Sequence, residues 1–255
     1  MCLIAIAWNC TPDVPLIVAS NRDEFHARAT YPLSQWADKP DIYAGRDAVA
    51  GGTWMGVSRT GRFAAVTNFR EINADAEFDL RSRGELVSTF LESQTSPHVW
   101  MEHLMVHADQ YAGFNLIAGV IGGSLCYCSN RSQGIQTLSN GVHSLSNGRL
   151  DAQWPKQRTL RTGLTTCLAE NRHDETRIFA LLNEKVSPPD HLLPDTGIGL
   201  DRERLLGPCF IVSPEYGTRS STVVTADKTH IDVWERRYAP SGSEEGRTHL
   251  RLSRQ

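Results

Sequence analysis

The chain has 255 residues, 40% of them hydrophobic and 22% charged, with a formal net charge of -3. That length can bury one large core, and that charge lacks the basic footprint of a nucleic-acid binder, so no nucleic-acid partner is expected. Six cysteines, Cys2, Cys10, Cys126, Cys128, Cys167 and Cys209, show neither C-x-x-C spacing nor a nearby histidine pair. This argues against a zinc site, and reduced thiols fit a cytoplasmic protein. The apolar start is too short to cross a bilayer and has no basic n-region, so stable membrane insertion is not expected.

In chain order, Leu3 to Trp8 and Leu16 to Ser20 are short apolar runs around a turn-rich loop containing Pro12 and Pro15, which predicts two antiparallel strands. A turn centred near Pro12 puts Cys2 opposite the Asn21 to Asp23 stretch. Phe25 to Pro32 lacks periodicity and is expected to be a long surface loop. Gly51-Gly52 permits tight backbone approach before Trp54-Met55-Gly56-Val57-Ser58, and Phe63 to Asn68 is the hairpin partner of that strand. Two helices are predicted at Ser82 to Leu91 and Pro97 to Tyr111, the second opened by Pro97 after Ser96. His98, His103 and His107 on the second helix read as a solvated polar face, since no carboxylate or Cys ligand accompanies them.

A hairpin follows about Gly122-Gly123, then short strands at Ile135 to Leu138 and near Gly141 to Leu145. Cys126 and Cys128, two apart in a strand, share a face and read as structural. Helices are expected from Trp154-Pro155-Lys156 to about Asn171 and from Asp174 to Glu184, then a Pro-rich loop over Ser187 to Glu203. Cys209 to Val212, Thr218 to Thr225 and His230 to Arg237 read as the last strands. Residues 1–238 are taken as one domain, and the polar stretch 239–255 as a disordered tail. Blocks of strands, two helices, strands, two helices and strands point to an α+β protein with antiparallel sheets; no phosphate-binding Gly loop, H-E-x-x-H or G-x-S-x-G motif is present.

Cys2 is the residue type of a nucleophile. Initiator methionine is commonly removed before a small residue, which would leave Cys2 with both a thiol and a free α-amine, with reference pKa values of about 8.5 and about 7.7–8.0. Such an amine can serve as the thiol's own base. The plainer alternative is a buried first residue of a core strand.

Seven stretches, Met1-Cys2-Leu3-Ile4, Ser20-Asn21-Arg22-Asp23-Glu24, Gly52-Thr53-Trp54-Met55-Gly56, Thr67-Asn68-Phe69-Arg70, Leu145-Ser146-Asn147, Trp154-Pro155-Lys156 and Tyr216-Gly217-Thr218-Arg219-Ser220, together resemble the NRDE family, also called the transport and Golgi organisation 2 family. The resemblance implies an N-terminal nucleophile (Ntn) hydrolase-like fold, a four-layer αββα sandwich. Within that class the pattern is similar to the bile-salt hydrolase and penicillin V acylase group. The likeness implies Cys2 as nucleophile, Asp23 orienting its amine, Asn68 and Asn147 near the reacting carbonyl, and Arg219 beside the thiolate. Asn21, Arg22 and Trp54 are assigned to substrate binding. One departure is plain: those acylases carry Arg where this chain has Ser20, while Arg22 lies between Asn21 and Asp23.

The implied activity is hydrolysis of a non-peptide amide or other acyl bond in a small, partly apolar substrate, with no cofactor or metal required. The alternative implied by the family is a non-enzymatic carrier concerned with haem trafficking or lipid and acyl-CoA homeostasis, with haem as a possible ligand. No haem-attachment C-x-x-C-H is present.

Overall fold

The computed structural model describes residues 2–71 and 80–254. Its first half comprises β1 (Cys2–Trp8), β2 (Leu16–Phe25), β3 (Thr30–Gln35), β4 (Ile42–Asp47), β5 (Met55–Ser58), β6 (Arg62–Asn68), α1 (Gly84–Glu92) and α2 (Pro97–Met105). The second half comprises β7 (Phe114–Val120), β8 (Leu125–Ser129), β9 (Gln136–Thr137), β10 (Gly141–Leu145), α3 (Pro155–Ala169), α4 (Glu175–Leu182), α5 (Leu200–Leu206), β11 (Tyr216–Ala226), β12 (His230–Tyr238) and β13 (Glu244–Ser253). They form two antiparallel sheets, ordered β10-β1-β2-β11-β12-β13 and β3-β4-β5-β6-β7-β8-β9.

Side-chain alternation explains the layering. On β1, Ile4, Ile6 and Trp8 enter the core between the sheets, while Leu3, Ala5 and Ala7 pack with Leu160 and Leu164 of α3 and Ile178 of α4. On the seven-stranded sheet, Ala64, Val66 and Leu116 turn outward to meet Leu86, Val87 and Phe90 of α1 and Met101 of α2. Each sheet is therefore apolar on both faces, and the stable arrangement is α1 and α2, sheet, sheet, α3 and α4: the four-layer αββα sandwich that the family resemblance implies. Cys126 and Cys128 share the face under α1 and α2, as their spacing requires. No helix among the described residues is long and apolar enough to cross a membrane.

The turn about Pro12 sets the register that organises the site. β1 and β2 pair Cys2 with Arg22, Leu3 with Asn21 and Trp8 with Leu16. Gly52 also acts as its spacing suggests: a Cβ there would lie 2.5 Å from the Gly84 carbonyl carbon, so the glycine is needed for the loop before β5 to meet the start of α1.

Four expectations need correction. β2 runs to Phe25 and β3 begins at Thr30, so the expected loop shrinks to residues 26–29. Cys209 to Val212 is not a strand: Phe210 N–H donates to the Glu184 carbonyl, and Ile211 bonds to both the Thr218 N–H and its hydroxyl, so Cys209, Phe210 and Ile211 are buried without a ladder and Val212 is exposed. The loop at 187–203 contains a 3-10 turn at Asp190–Leu192 and the start of α5.

The stretch taken as a disordered tail contains β13, paired with β12 from His230–Ser253 to Tyr238–Glu244. Its outward residues are charged, as suits an edge strand, while Leu252 enters the intersheet core. Leu252→Ala is expected to cost about 2–5 kcal/mol, read from denaturant midpoints; a negligible loss would mean that β13 adds nothing to the core.

Candidate active site

β2 is a central strand, and its alternation splits the tetrad Asn21-Arg22-Asp23-Glu24 between two faces. Leu16 and Val18 face the other sheet, while Ile17 and Ala19 face the helices. Continued along the strand, this sends Ser20 and Arg22 toward the other sheet and Asn21 and Asp23 toward α3 and α4. Cys2, paired with Arg22, shares the Arg22 face.

The Cys2 thiol is free and the residue is buried; its carbonyl accepts from Ser146 Oγ at 3.0 Å. Burial pushes its pKa up and the charge of Asp23 adds to that, while the guanidinium of Arg22 opposes them. Arg22 is 5% exposed and stacks on Trp54 with 4.3 Å between Cζ and the ring centroid. Its Nη2 lies 3.7 Å from Asp47, a carboxylate that Arg28 Nε approaches to 2.6 Å.

Beneath the strand, Asp23 is fully buried and accepts from Thr218 Oγ1 at 2.7 Å. The Tyr216 hydroxyl donates to its carbonyl at 3.0 Å. Burial raises the Asp23 pKa, and the charge of Lys156 is the foremost opposing influence. Lys156 lies in the first turn of α3, which Pro155 opens at a position where its missing N–H costs nothing. Its Nζ is buried with no hydrogen-bond partner among the described residues, and burial lowers its pKa while Asp23 acts against that. No role was read for Lys156 from the sequence. Its signal was there: Lys156, Leu160 and Leu164 recur every four residues, which puts the lysine on the stripe that α3 buries.

The two asparagines assigned to the carbonyl do converge. Asn147 Nδ2 donates to the Asn68 carbonyl at 2.9 Å, and Thr67 Oγ1 donates to the Ser146 carbonyl at 2.6 Å, so the ends of β6 and β10 are stitched together next to Cys2. This occupies one of the two Asn147 N–H groups and leaves one available. Asn115, absent from the sequence reading, supports the stitch from below: its Nδ2 donates to Thr67 Oγ1 and to the Gly148 carbonyl, and Tyr127 donates to its Oδ1.

Two assignments change. Asn21 spends its amide on the fold, donating to the carbonyls of Leu182 and Cys209, both at 2.8 Å, and accepting from Ser221 Oγ at 2.6 Å. It faces the helices and braces the chain there, on the face opposite Cys2 and Arg22. Arg219 sits where β11 bulges between Thr218 and Ser220, and its Nη1 donates to the carbonyls of Phe25, His26 and Arg28 at 3.0–3.1 Å. It clamps the turn after β2; the side-chain cation acting most strongly on the thiol is Arg22.

Two facing antiparallel sheets covered by helices on both outer faces make this an Ntn-hydrolase-like fold. Solved structures agree on the fold. A mutant of conjugated bile acid hydrolase from Clostridium perfringens superposes with a TM-score of 0.54 at 9% identity, over 98% of this chain and 92% of that one. The Caenorhabditis elegans N-acylethanolamine-hydrolyzing acid amidase ortholog gives 0.51 at 13% identity, over 87% and 91%.

The chain belongs to the family described as Transport and Golgi organisation 2, whose profile matches residues 1–240. The human Transport and Golgi organization protein 2 homolog is 31% identical over 258 residues, 92% of each chain. The Drosophila melanogaster Transport and Golgi organization protein 2 is 30% identical over 255 residues, 89% of this chain and 88% of that one.

Proposed function

We propose that this chain is a cysteine hydrolase of the Ntn type, cleaving a non-peptide amide or related acyl bond in a small, partly apolar substrate. The observation that carries the reading is the register pairing Cys2 with Arg22 on one face, with the buried Asp23 next along β2 on the other. The likeness in fold to two proteins whose names describe amide and bile-acid hydrolases supports it. Met1 lies outside the described residues; the mechanism requires its removal, so that the Cys2 amine is free.

In that reading the α-amine takes the thiol proton as sulfur attacks the substrate carbonyl, and the remaining Asn147 N–H and the Asn68 amide donate to the oxyanion. Collapse expels the leaving amine, which takes the proton back from the ammonium. Water, deprotonated by the same amine, then cleaves the thioester. Asp23, on the helix side of β2, orients the amine rather than the thiol, which explains why carboxylate and thiol sit on opposite faces.

The test is hydrolysis of a panel of N-acyl amides by wild type and Cys2→Ala, with intact mass to report the N-terminus. Loss of all turnover in Cys2→Ala, with Met1 absent from the wild type, is expected. Equal turnover in the two, or an active protein that keeps Met1, would remove the proposal.

A further inference from the structure

Arg22 is a buried cation whose own contacts leave part of it unanswered. Its Nη1 has no hydrogen-bond partner among the described residues although the side chain is only 5% exposed. The carboxylates whose charge reaches it are engaged elsewhere: Asp47 Oδ2 takes Arg28 at 2.6 Å and its Oδ1 the N–H groups of Val49 and Ala50, each at 2.9 Å, with Arg22 held off at 3.7 Å, while Glu24 accepts from the Phe25 N–H and Glu235 from the Leu33 N–H and Arg237. A buried guanidinium so placed carries a desolvation cost that a bound anion would offset. The Trp54 ring covers one face of the guanidinium plane. The unpartnered Nη1 lies on the in-plane edge, which is where carboxylates bind arginine.

The register then says where the anion would lie. Directly opposed strand residues have Cβ atoms about 5 Å apart on one face, and Arg22 is opposed to Cys2. The same face of β2 two residues back is Ser20, opposed to Ile4 of the intersheet core, where a cation would meet hydrocarbon. Position 22 instead sets it beside the thiol. We propose that Arg22, stacked on Trp54, receives a carboxylate carried by the substrate within a few bonds of the carbonyl that Cys2 attacks, so that the substrate class is an acyl compound bearing an anion next to its scissile bond.

This rests on the Cys2 reading, and the experiment separates the two. Iodoacetate and iodoacetamide both alkylate a thiolate by displacing iodide, and they differ in that one carries a carboxylate where the other carries a neutral amide. The ratio of their rates at Cys2, assigned by peptide mass, cancels any change in thiolate fraction and reports anion recognition alone. In wild type the ratio is expected to favour iodoacetate; Arg22→Met should lower it at least about tenfold, and Arg22→Lys should retain part of it. Arg46→Met, which removes a half-buried cation paired with Asp38, should leave it unchanged.

If Arg22→Met does not fold, wild type still decides: butyrate should slow iodoacetamide labelling of Cys2 and butyramide should not. An equal ratio in wild type and Arg22→Met, equal protection by butyrate and butyramide, or a Cys2 inert to both reagents would overturn the proposal. A lowered ratio in Arg22→Met alongside undiminished hydrolysis by Cys2→Ala would keep the anion site and remove the hydrolase.

Discussion

Asp23→Asn is expected to slow Cys2-dependent hydrolysis about 10²- to 10⁴-fold, the range general acid–base catalysis supplies, with little change in fold. The substituted amide keeps the shape and the Thr218 hydrogen bond but not the charge proposed to orient and stabilise the protonated α-amine during attack. Lys156 tests the same point without touching Asp23. Burial raises the Asp23 pKa and Lys156 is the foremost charge opposing it, so Lys156→Met raises Asp23 further. The acid limb of the kcat/KM profile should then move to higher pH, because the active form is the carboxylate.

Stability follows the same sign. A carboxyl whose native pKa lies above its unfolded one favours the fold while protonated, and this contribution is lost as pH rises through the native value. Lys156→Met should therefore be most destabilised relative to wild type at neutral pH, and its deficit should shrink on acidification below the native Asp23 value, read from urea midpoints across that range. An acid limb that stays in place in Lys156→Met would mean that the ammonium does not act on Asp23.

Most of this geometry follows from short-range signals in the sequence. Pro12 and the two apolar runs suffice to place Cys2 opposite the 21–23 stretch, and the structure pairs it with Arg22 at the centre of that stretch. The hairpin about Gly122-Gly123 and the helix opened by Pro155 are equally local. What failed depended on longer reach. The partners of Asn21 lie 161 and 188 residues away, at Leu182 and Cys209, and nothing in Ser20-Asn21-Arg22 shows that its amide is spent there.

Arg219 turns on the same kind of distance, since the carbonyls it clamps belong to a turn nearly two hundred residues earlier. β13 was hidden by composition. An edge strand with one covered face needs few apolar residues, and Leu250 and Leu252 alternate inside a charged stretch that otherwise resembles a tail.

Arg70→Met is expected to destabilise the protein by about 3–5 kcal/mol, the cost of leaving a buried charge without its partner. Arg70 and Glu203 meet at 2.7 Å with side chains 6% and 4% exposed, and Glu203 also accepts from the backbone N–H and the hydroxyl of Thr196. The pair joins two regions far apart in sequence. Glu203 belongs to α5 in the segment that follows α4, while Arg70 is two residues past Asn68 and its N–H donates to the Asn147 carbonyl at 2.7 Å.

Removing the guanidinium strands the carboxylate, and it also unfastens α5 from the asparagines proposed to meet the oxyanion. Hydrogen exchange over 196–206 should therefore speed up along with the fall in denaturant midpoint. Arg70→Met with Glu203→Leu replaces both charges by hydrocarbon and should recover most of the lost stability, because the penalty comes from the uncompensated ion rather than from the missing attraction. A double variant as unstable as Arg70→Met alone would show instead that Arg70 works mainly through its other contacts, among them the Trp154 ring 5.0 Å from its Cζ.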